Sequence, residues 1–291
     1  MPERQKAFVA IFTGALLGGA TAAVTKIGLL GIPPLSFVFL RFLIASLLLA
    51  PFVLKKGKNL KYFTGLVPIS LLATFNIIVF ILGIKTTTAT IGQLLYAATP
   101  FLTAIILYLI YKEKLSIIKG AGIVIGFIGT AVVVVLPVIE NQNPFSGNLL
   151  GNFLIAAGVA TWSFYMVFSK RLLKNYSPLE ITSGFIFTTA LVSLPLFIFD
   201  TFANNGWWIN LDFNSVLAFA YVTIVSTIVT YFLNQYAIKH GGSVFASMVF
   251  YLLPIFAFFF AFLLLGEGLT IGLVAGGILV LLGIYLTTGK K

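Results

Sequence analysis

Long apolar runs alternate with short polar stretches along the whole chain. An α-helix needs about 20 mainly apolar residues to cross the hydrocarbon core of a bilayer. Ten runs reach that length, and we number them spans 1 to 10: approximately 8–28, 36–54, 66–84, 91–110, 118–136, 150–170, 181–199, 216–236, 244–264 and 271–288. The pattern predicts an all-α integral membrane protein with ten transmembrane helices.

The chain also carries an internal repeat. Pro100 in span 4 is followed thirteen residues later by Glu113, and Pro254 in span 9 is followed thirteen residues later by Glu267. The same offset of 154 relates Lys85 to Lys239, Gly122 to Gly276 and Gly129 to Gly283, and an offset of 144 relates Lys26 to Lys170, Pro34 to Pro178 and Pro51 to Pro195. Internal duplication in an apolar chain is typical of secondary transporters. We therefore predict two domains, residues 1–140 with spans 1–5 and residues 148–291 with spans 6–10.

Composition agrees with a membrane location. Only 9% of the residues are charged and 60% are hydrophobic, whereas soluble proteins carry about 25% charged residues. The net charge of +11 comes from lysines and arginines in short loops, which is typical of membrane proteins and does not indicate a nucleic-acid partner. The chain has no cysteine, and His240 is its single histidine. We therefore expect neither a metal site nor a cofactor.

The basic residues also predict how the spans are oriented. With the N-terminus in the cytoplasm, fifteen of the 18 lysines and arginines lie on the cytoplasmic side, and Lys26, Arg41 and Lys85 lie toward the outside. Each repeat contains five spans, which is an odd number, so the second repeat is inverted relative to the first. We expect a multi-pass protein of the cell membrane with both termini in the cytoplasm.

Several segments resemble a known family of transporters. They are residues 40–43 (Leu-Arg-Phe-Leu), 98–100 (Ala-Thr-Pro), 112–115 (Lys-Glu-Lys-Leu), 253–254 (Leu-Pro) and 266–269 (Gly-Glu-Gly-Leu), together with the glycine-rich spans 5 and 10. On these segments the chain resembles the ten-helix EamA-type members of the drug/metabolite transporter superfamily. The resemblance implies a central cavity surrounded by spans 1–4 and 6–9, with spans 5 and 10 at the periphery. It departs from the family at residues 17–21 (Leu-Gly-Gly-Ala-Thr), where many relatives have Trp-Gly.

Spans 4 and 9 carry the first group of candidate site residues. Gln93, Tyr96 and Pro100 recur at helical spacing and therefore share one face of span 4. Pro254 occupies the equivalent place in span 9, close to Tyr251. Each proline removes a backbone hydrogen bond, which leaves a carbonyl for a ligand or a bend for gating. A fixed, packed kink is the alternative interpretation of both prolines.

Other polar and aromatic side chains in the middle of spans complete the candidate binding site, because polar groups at membrane depth tend to face protein or a cavity. They are Thr21 in span 1, Asn76 in span 3, Trp162 and Tyr165 in span 6, and Thr227 and Tyr231 in span 8. Span 8 shows a continuous polar stripe of Thr223, Thr227, Thr230 and Asn234. The alternative for the threonines is a hydroxyl bonded to its own helix, and the alternative for Trp162 is an interfacial anchor.

Charged residues near the span ends leave two further interpretations open. Arg41 lies about six residues inside span 2, so it either adds positive potential to an outer vestibule that binds anions or extends to outer headgroups. Glu113 and Glu267 either stabilise the N-terminus of the next helix or form gate-locking ion pairs. All seven acidic residues lie at or beyond span ends, so a buried carboxylate proton relay is not expected, and this favours facilitated diffusion or exchange over proton-coupled antiport.

Taken together, the sequence predicts a secondary transporter, and not an enzyme. The substrate is expected to be a small polar or amphipathic metabolite, such as an amino acid, bound at a central midplane cavity and moved by alternating access. The alternative is an exporter of drugs, cationic amines or nucleobases with the same fold, and a channel or an intramembrane enzyme fits less well. Small-residue spacings at Gly122–Gly126 and Gly272–Gly276 indicate close packing within a monomer or the seam of a weak homodimer. The expected partners are the substrate and the lipid bilayer.

Overall fold

The architecture is described from a computed structural model. It describes residues 2–54, 64–87, 89–140, 148–265 and 271–288. Glu267, one of the two glutamates of the repeat, lies outside the described residues. So do the loop lysines that contribute to the predicted orientation, namely Lys55, Lys56, Lys58, Lys61, Lys290 and Lys291.

Every regular element within the described residues is helical. The α-helices are α1 (Glu3–Gly18), α2 (Thr21–Gly31), α3 (Pro34–Leu54), α4 (Val67–Thr86), α5 (Ala89–Tyr96), α6 (Thr99–Tyr111), α7 (Ile117–Glu140), α8 (Leu149–Leu172), α9 (Pro178–Ala203), α10 (Phe213–Tyr221), α11 (Thr230–Gly241), α12 (Ser243–Ser247), α13 (Val249–Leu265) and α14 (Ile271–Thr288). Short 3-10 turns cover Thr64–Leu66 and Trp207–Asn210. A π-helical segment, Val222–Val229, joins α10 to α11.

Six stretches among the described residues are each long and apolar enough to cross a membrane. They are Pro34–Val53, Thr64–Thr86, Gly92–Tyr111, Leu149–Leu172, Pro178–Ala203 and Phe213–Gly241. Helices α1 and α2 form a further apolar pair, bent by 42°. Shorter apolar helices cover Ile117–Val133, Ser243–Ala257 and Val274–Thr287. The predicted all-helical, apolar architecture is confirmed, whereas a crossing by all ten spans stays a prediction.

Four of the predicted spans are interrupted. Span 1 breaks at Gly19 and Ala20, span 4 at Ala97 and Ala98, and span 9 at Met248, while span 8 contains the π-helical segment. Such irregularities lie in protein interiors at membrane depth, because the freed backbone groups need partners other than lipid. The broken spans are therefore expected to meet at an internal, polar region.

The helices of the two halves pack against each other in a regular order. Helix α3 packs against α9, and α7 packs against α14. Helix α4 packs against α8, and α1 packs against α11. The last two contacts are related by exchange of the halves, since each joins the first span of one half to the third span of the other. These contacts have the pattern expected when a two-fold axis relates the two halves.

Helices α7 and α14 approach closely along a line of glycines. A Cβ atom on Gly283 would lie 2.5 Å from the backbone nitrogen of Gly126, and one on Gly129 would lie 2.7 Å from the backbone nitrogen of Val280. The backbones therefore touch where side chains are missing. Gly122, Gly126 and Gly276 all belong to this contact, so these small-residue faces are buried within one chain.

Ionic contacts join helix ends on one side of the bundle. Glu113 after α6 accepts hydrogen bonds from Lys170 of α8, at 2.8 Å for the shorter contact. Glu3 at the start of α1 contacts Lys6 and also His240 near the end of α11. The hydrogen bond from Lys6 makes the largest contribution, and His240 the next, to lowering the pKa of Glu3 to about 2. Of the two interpretations of Glu113, the structure favours an ion pair between helix ends.

The same end of the bundle is closed by buried contacts beneath these ion pairs. The Ser243 hydroxyl of α12 donates to the Met166 carbonyl of α8 at 2.7 Å. The Gln235 amide of α11 donates to the Ser169 hydroxyl at 3.3 Å. All five residues of α12 are buried. Helices α8, α11 and α12 therefore form a packed layer at this end.

Candidate functional site

The broken spans enclose a cavity between the two halves of the chain. It offers about 180 Å³ to the centres of water-sized spheres. A single water needs about 10–15 Å³ by this measure, so the space suits a ligand on the order of a dozen non-hydrogen atoms. Its polar lining consists of Thr21, Asn76, Gln93, Tyr96, Trp162, Ser226, Thr230, Tyr231 and Asn234. The described lining contains no charged side chain.

The break in span 1 allows α1 to lie directly against α13. A Cβ atom on Gly19 would lie 2.8 Å from the Cβ of Phe256, and one on Gly18 would lie 3.0 Å from Leu253. Larger residues at these two positions would therefore clash with α13. Immediately after the break, the Thr21 hydroxyl is hydrogen-bonded to the Ser226 hydroxyl at 2.8 Å. This bond connects the break in span 1 to the π-helical segment.

The π-helical segment explains why only part of the predicted polar stripe of span 8, namely Thr230 and Asn234, lines the cavity. The hydroxyl of Thr227 donates to the carbonyl of Val222, five residues earlier, at 2.8 Å. Thr227 is fully buried and does not line the cavity. In a π-helix each backbone N–H bonds to the carbonyl five residues earlier, so its side chains point in other directions than those of an α-helix. Ser226 therefore lines the cavity together with Thr230 and Asn234.

Asn76 and Tyr96 form a fixed pair on the first half's side of the cavity. The Asn76 amide nitrogen donates to the Tyr96 hydroxyl at 2.7 Å and to the Gly158 carbonyl at 2.7 Å. The amide has two hydrogens, so both are used. A Cβ atom on Gly158 would lie 3.1 Å from that amide nitrogen, which shows how closely α8 approaches. Gln93, one turn earlier in α5, also lines the cavity.

Arg41 lies behind the cavity wall on the opposite side. It is 3% exposed, and its Nη2 donates to the hydroxyl of Tyr231 at 3.3 Å. The guanidinium also lies 4.8 Å above the ring of Phe42, and its Nε has no hydrogen-bond partner. Among the described carboxylates, none forms an ion pair with it. Because Arg41 is buried, its side chain does not extend to lipid headgroups. Its charge lies next to Tyr231, which lines the cavity.

Aromatic rings fill the region around Arg41 and Tyr231. Trp162 lines the cavity, is 4% exposed, and lies 5.6 Å from Tyr231 between ring centroids. Its buried indole N–H has no hydrogen-bond partner. Tyr165 packs against Trp162 at 4.9 Å and against Phe185 at 5.7 Å, and it is set back from the cavity. The burial of Trp162 inside the protein excludes the interfacial anchor interpretation.

Of the two prolines, Pro254 lines the cavity and Pro100 does not. Pro100 occupies the first turn of α6, where its missing N–H costs little. The Tyr96 carbonyl, four residues earlier, accepts a hydrogen bond from the Thr99 hydroxyl at 2.6 Å. Pro254 lies inside α13 and supplies no N–H to the Phe250 carbonyl.

Tyr251 lies outside the cavity, and its neighbour takes its predicted place. Its ring is fully buried between α13 and α7, and its hydroxyl donates to the Ile123 carbonyl at 2.8 Å. A Cβ atom on Gly126 would lie 2.5 Å from that ring. Phe250, the repeat equivalent of Tyr96, lines the cavity and lies 5.3 Å from the Tyr96 ring.

Several lining residues were not among the predicted site residues, although the repeat relates them to positions that were. The offset of 154 pairs Asn76 with Thr230, Ile77 with Tyr231, Phe80 with Asn234 and Tyr96 with Phe250, and the offset of 144 pairs Gly18 with Trp162. All ten residues line the cavity. Applied to the predicted site residues Tyr231, Asn76, Tyr96 and Trp162, the offsets identify Ile77, Thr230, Phe250 and Gly18. Ser226 has no such signal, because its equivalent Leu72 does not line the cavity.

Known proteins resemble this chain along most of its length. An uncharacterized transporter of Archaeoglobus fulgidus is 28% identical over 271 residues, covering 91% of this chain and 91% of its own length. The uncharacterized transporter YoaV of Bacillus subtilis is 24% identical over 289 residues, covering 97% of each. A chloroplastic WAT1-related protein of Arabidopsis thaliana is 25% identical over 262 residues, covering 84% of this chain and 60% of its own length.

A solved crystal structure shares the fold, with a TM-score of 0.78 at 20% sequence identity and 97% coverage of both chains. The sequence signature of the EamA-like transporter family matches the chain twice, at residues 5–135 and at residues 149–289. These matches cover both halves that surround the cavity. The chain belongs to the EamA-like transporter family and is a multi-pass membrane transporter.

Proposed function

We propose that the protein is a secondary transporter that moves a small polar or amphipathic metabolite by alternating access. The central cavity is the substrate site in this proposal. The observation that carries it is the convergence of both repeats on one cavity that contains buried polar groups without partners, namely Trp162 Nε1 and Asn234 Oδ1. Such groups are costly unless a ligand satisfies them during the transport cycle.

The proposal includes ten transmembrane helices in two inverted repeats, with both termini in the cytoplasm. The exchange-related packing of the halves supports it, and so do the five equivalent pairs that line the cavity. An inverted pair of five-helix units is related by an axis in the membrane plane. Equivalent residues then approach a midplane site from opposite sides.

The structure also offers elements that can move. One end of the bundle is closed by the Glu113–Lys170 ion pair and by the contact of Glu3 with His240. The breaks of spans 1, 4 and 9 and the π-helical segment lie beside the cavity. Bending at these breaks while the tightly packed α7–α14 pair stays rigid would open one end and close the other. Pro254 is the gating proline best placed for this role.

Other functions of the same fold differ in measurable ways. An exporter of cationic amines or nucleobases would use the same cavity but would bind these compounds in preference to other metabolites. A channel would conduct without a carrier cycle. An intramembrane enzyme would need a nucleophile with a base or metal ligands, and the described lining of the cavity offers no acidic residue, histidine or cysteine.

A two-stage experiment tests the proposal. Amino acids, nucleobases, sugar phosphates and cationic amines are first screened for thermal stabilisation of the purified protein, because a ligand at 100 times its Kd stabilises the folded state by about 2.7 kcal/mol. The best ligand is then used in counterflow with proteoliposomes. A carrier takes up labelled ligand faster when the vesicles contain unlabelled ligand. Uptake that is indifferent to internal ligand would contradict the proposal.

A cavity-filling variant ties the activity to this site. Leu253→Trp places a large ring in the lining, whereas Leu281→Trp makes the same substitution at a position of α14 that is 57% exposed. We expect Leu253→Trp to abolish counterflow and Leu281→Trp to retain it. Full activity in Leu253→Trp would mean that the substrate travels elsewhere.

A further inference from the structure

We propose that the cavity recognises a carboxylate on its substrate, through hydrogen bonds donated by Tyr96, Tyr231 and Trp162 and through the positive charge of Arg41. The inference rests on the proposed function and names the chemical class of its substrate. It follows from the direction of the hydrogen bonds around the cavity and from the distribution of charge.

Tyr231 is the first donor. Tyr231 lines the cavity, and its hydroxyl accepts a hydrogen bond from Arg41 at 3.3 Å. An arginine can only donate, so the tyrosine oxygen acts as the acceptor. The single hydrogen of the hydroxyl is then left for another acceptor. The neighbouring guanidinium polarises that O–H bond, which strengthens its attraction to an anion.

Tyr96 repeats this arrangement across the cavity. Its hydroxyl accepts a hydrogen bond from the Asn76 amide nitrogen at 2.7 Å. The Asn76 side chain is 3% exposed, and its second amide hydrogen is held by the Gly158 carbonyl. The amide is therefore fixed as a donor, and the hydroxyl hydrogen of Tyr96, a residue of the cavity lining, is left for another acceptor.

Trp162 provides a third donor beside Tyr231. Its indole nitrogen can only donate, and in the described structure this buried N–H has no partner. It belongs to the cavity lining and packs beside Tyr231. A ligand oxygen in the cavity would satisfy this N–H, whereas a ligand ammonium would leave it unsatisfied.

The charge distribution points the same way. Arg41 is buried, forms no ion pair with a described carboxylate, and has an unpartnered Nε. The described cavity lining holds no acidic side chain that would offset it. A buried charge strongly favours an opposite charge nearby and disfavours a like one. The cavity should therefore prefer a carboxylate over a neutral amide, and a neutral amide over an amine.

The remaining wall is polar on one part, with Gln93, Ser226, Thr230 and Asn234, and apolar on another. Ile77, Phe80, Phe250 and Leu253 line the cavity with apolar surface. They suit a branched or aromatic hydrocarbon group attached to the carboxylate. The size of the cavity limits such a molecule to on the order of a dozen non-hydrogen atoms.

Matched probes test the inference directly. Thermal stabilisation is measured at pH 7.5 with 4-methylpentanoate and 3-phenylpropanoate, with the primary amide of each acid, and with isopentylamine and phenethylamine. We expect at least one carboxylate to stabilise the protein and to bind about 10- to 100-fold more tightly than its amide, the range for a hydrogen-bonded charge. Stabilisation by an amide or an amine equal to that by the matched carboxylate overturns the inference. So does the absence of stabilisation by both carboxylates.

Variants locate the preference. Tyr96→Phe and Tyr231→Phe keep the rings and remove the donated hydrogens, so each should reduce the preference for carboxylate over amide about tenfold. Tyr108→Phe, at a position of α6 that is 48% exposed, is the matched control. Arg41→Gln should also reduce the preference, and the tyrosine variants keep the test valid if Arg41→Gln fails to fold. An unchanged preference in both tyrosine variants overturns the inference.

The results separate this inference from the proposed function. Carboxylate binding without counterflow would support the inference and refute transport by alternating access. Counterflow of an amine in preference to a carboxylate would support transport and refute the inference.

Discussion

The contact between α7 and α14 permits a quantitative test with two glycines of the same helix. A Cβ atom on Gly283 would lie 2.5 Å from the Gly126 nitrogen, 2.6 Å from its Cα and 2.7 Å from the Gly122 carbonyl oxygen. Ordinary van der Waals contact begins at 3.4 Å, so Gly283→Ala must separate the helices by about 3.4 − 2.5 = 0.9 Å. Overpacking of this kind costs about 1–3 kcal/mol. Gly277→Ala is the control, because a Cβ atom there meets nothing within 4 Å.

Both variants gain the same helix propensity, about 0.8–1.0 kcal/mol, so their difference isolates the packing cost. We expect Gly277→Ala to denature at the same temperature as the parent or above it. Gly283→Ala should denature several degrees below Gly277→Ala, at about 2–4 °C per kcal/mol. Thermal denaturation of the detergent-purified variants measures this. Equal denaturation temperatures would refute the close intramolecular contact, and a change of oligomeric state alone in Gly283→Ala would favour a dimer seam instead.

Three further predictions concern the helix ends and the break in span 1. Glu113→Gln removes the ion pair with Lys170, whose side chains are 48% and 38% exposed, so stability should change by less than about 1 kcal/mol while the exchange rate in counterflow changes. Glu3→Gln should lower the denaturation temperature. The hydrogen bond from Lys6, and to a smaller extent His240, lowers the pKa of Glu3 to about 2. The difference in denaturation temperature between Glu3→Gln and the parent should therefore be complete above pH 4.5 and shrink as the pH falls toward 2. A temperature difference that grows in acid would contradict this. Tyr221→Phe removes the hydrogen bond to the Leu17 carbonyl at 2.5 Å and should cost about 0.5–1.5 kcal/mol in the same denaturation assay.

Much of the architecture was predictable because its signals are local or periodic. Apolar runs determine where helices form in a bilayer, and the Pro-to-Glu repeat identifies equivalent positions in the two halves. The predicted site residues Thr21, Asn76, Gln93, Tyr96 and Trp162 meet at one cavity. Their polarity at mid-span is what the sequence reveals, and burial of polar groups away from lipid is the physical reason that they meet.

The remaining features depend on backbone geometry that the sequence pattern does not contain. The π-helical segment changes which face of span 8 points inward, so Thr227 bonds to its own backbone and Ser226 faces the cavity. Tyr251 is directed to α7 because Gly126 leaves room for its ring. The sequence leaves Arg41 either in an outer vestibule or at outer headgroups, and its contact with Tyr231 depends on the packing of α3 against the second half.

The central claim is that the cavity between the repeats is reached from both sides of the membrane in turn. The chain has no native cysteine, so Leu253→Cys introduces a single thiol into the cavity lining. Its reaction with a membrane-impermeant thiol reagent is measured in vesicles from each side, and Leu281→Cys in α14 serves as the lipid-exposed control. Alternating access predicts labelling of Leu253→Cys from either side, slowed by substrate, and little labelling of the control. Labelling from one side only, or labelling that substrate leaves unchanged, would contradict the account.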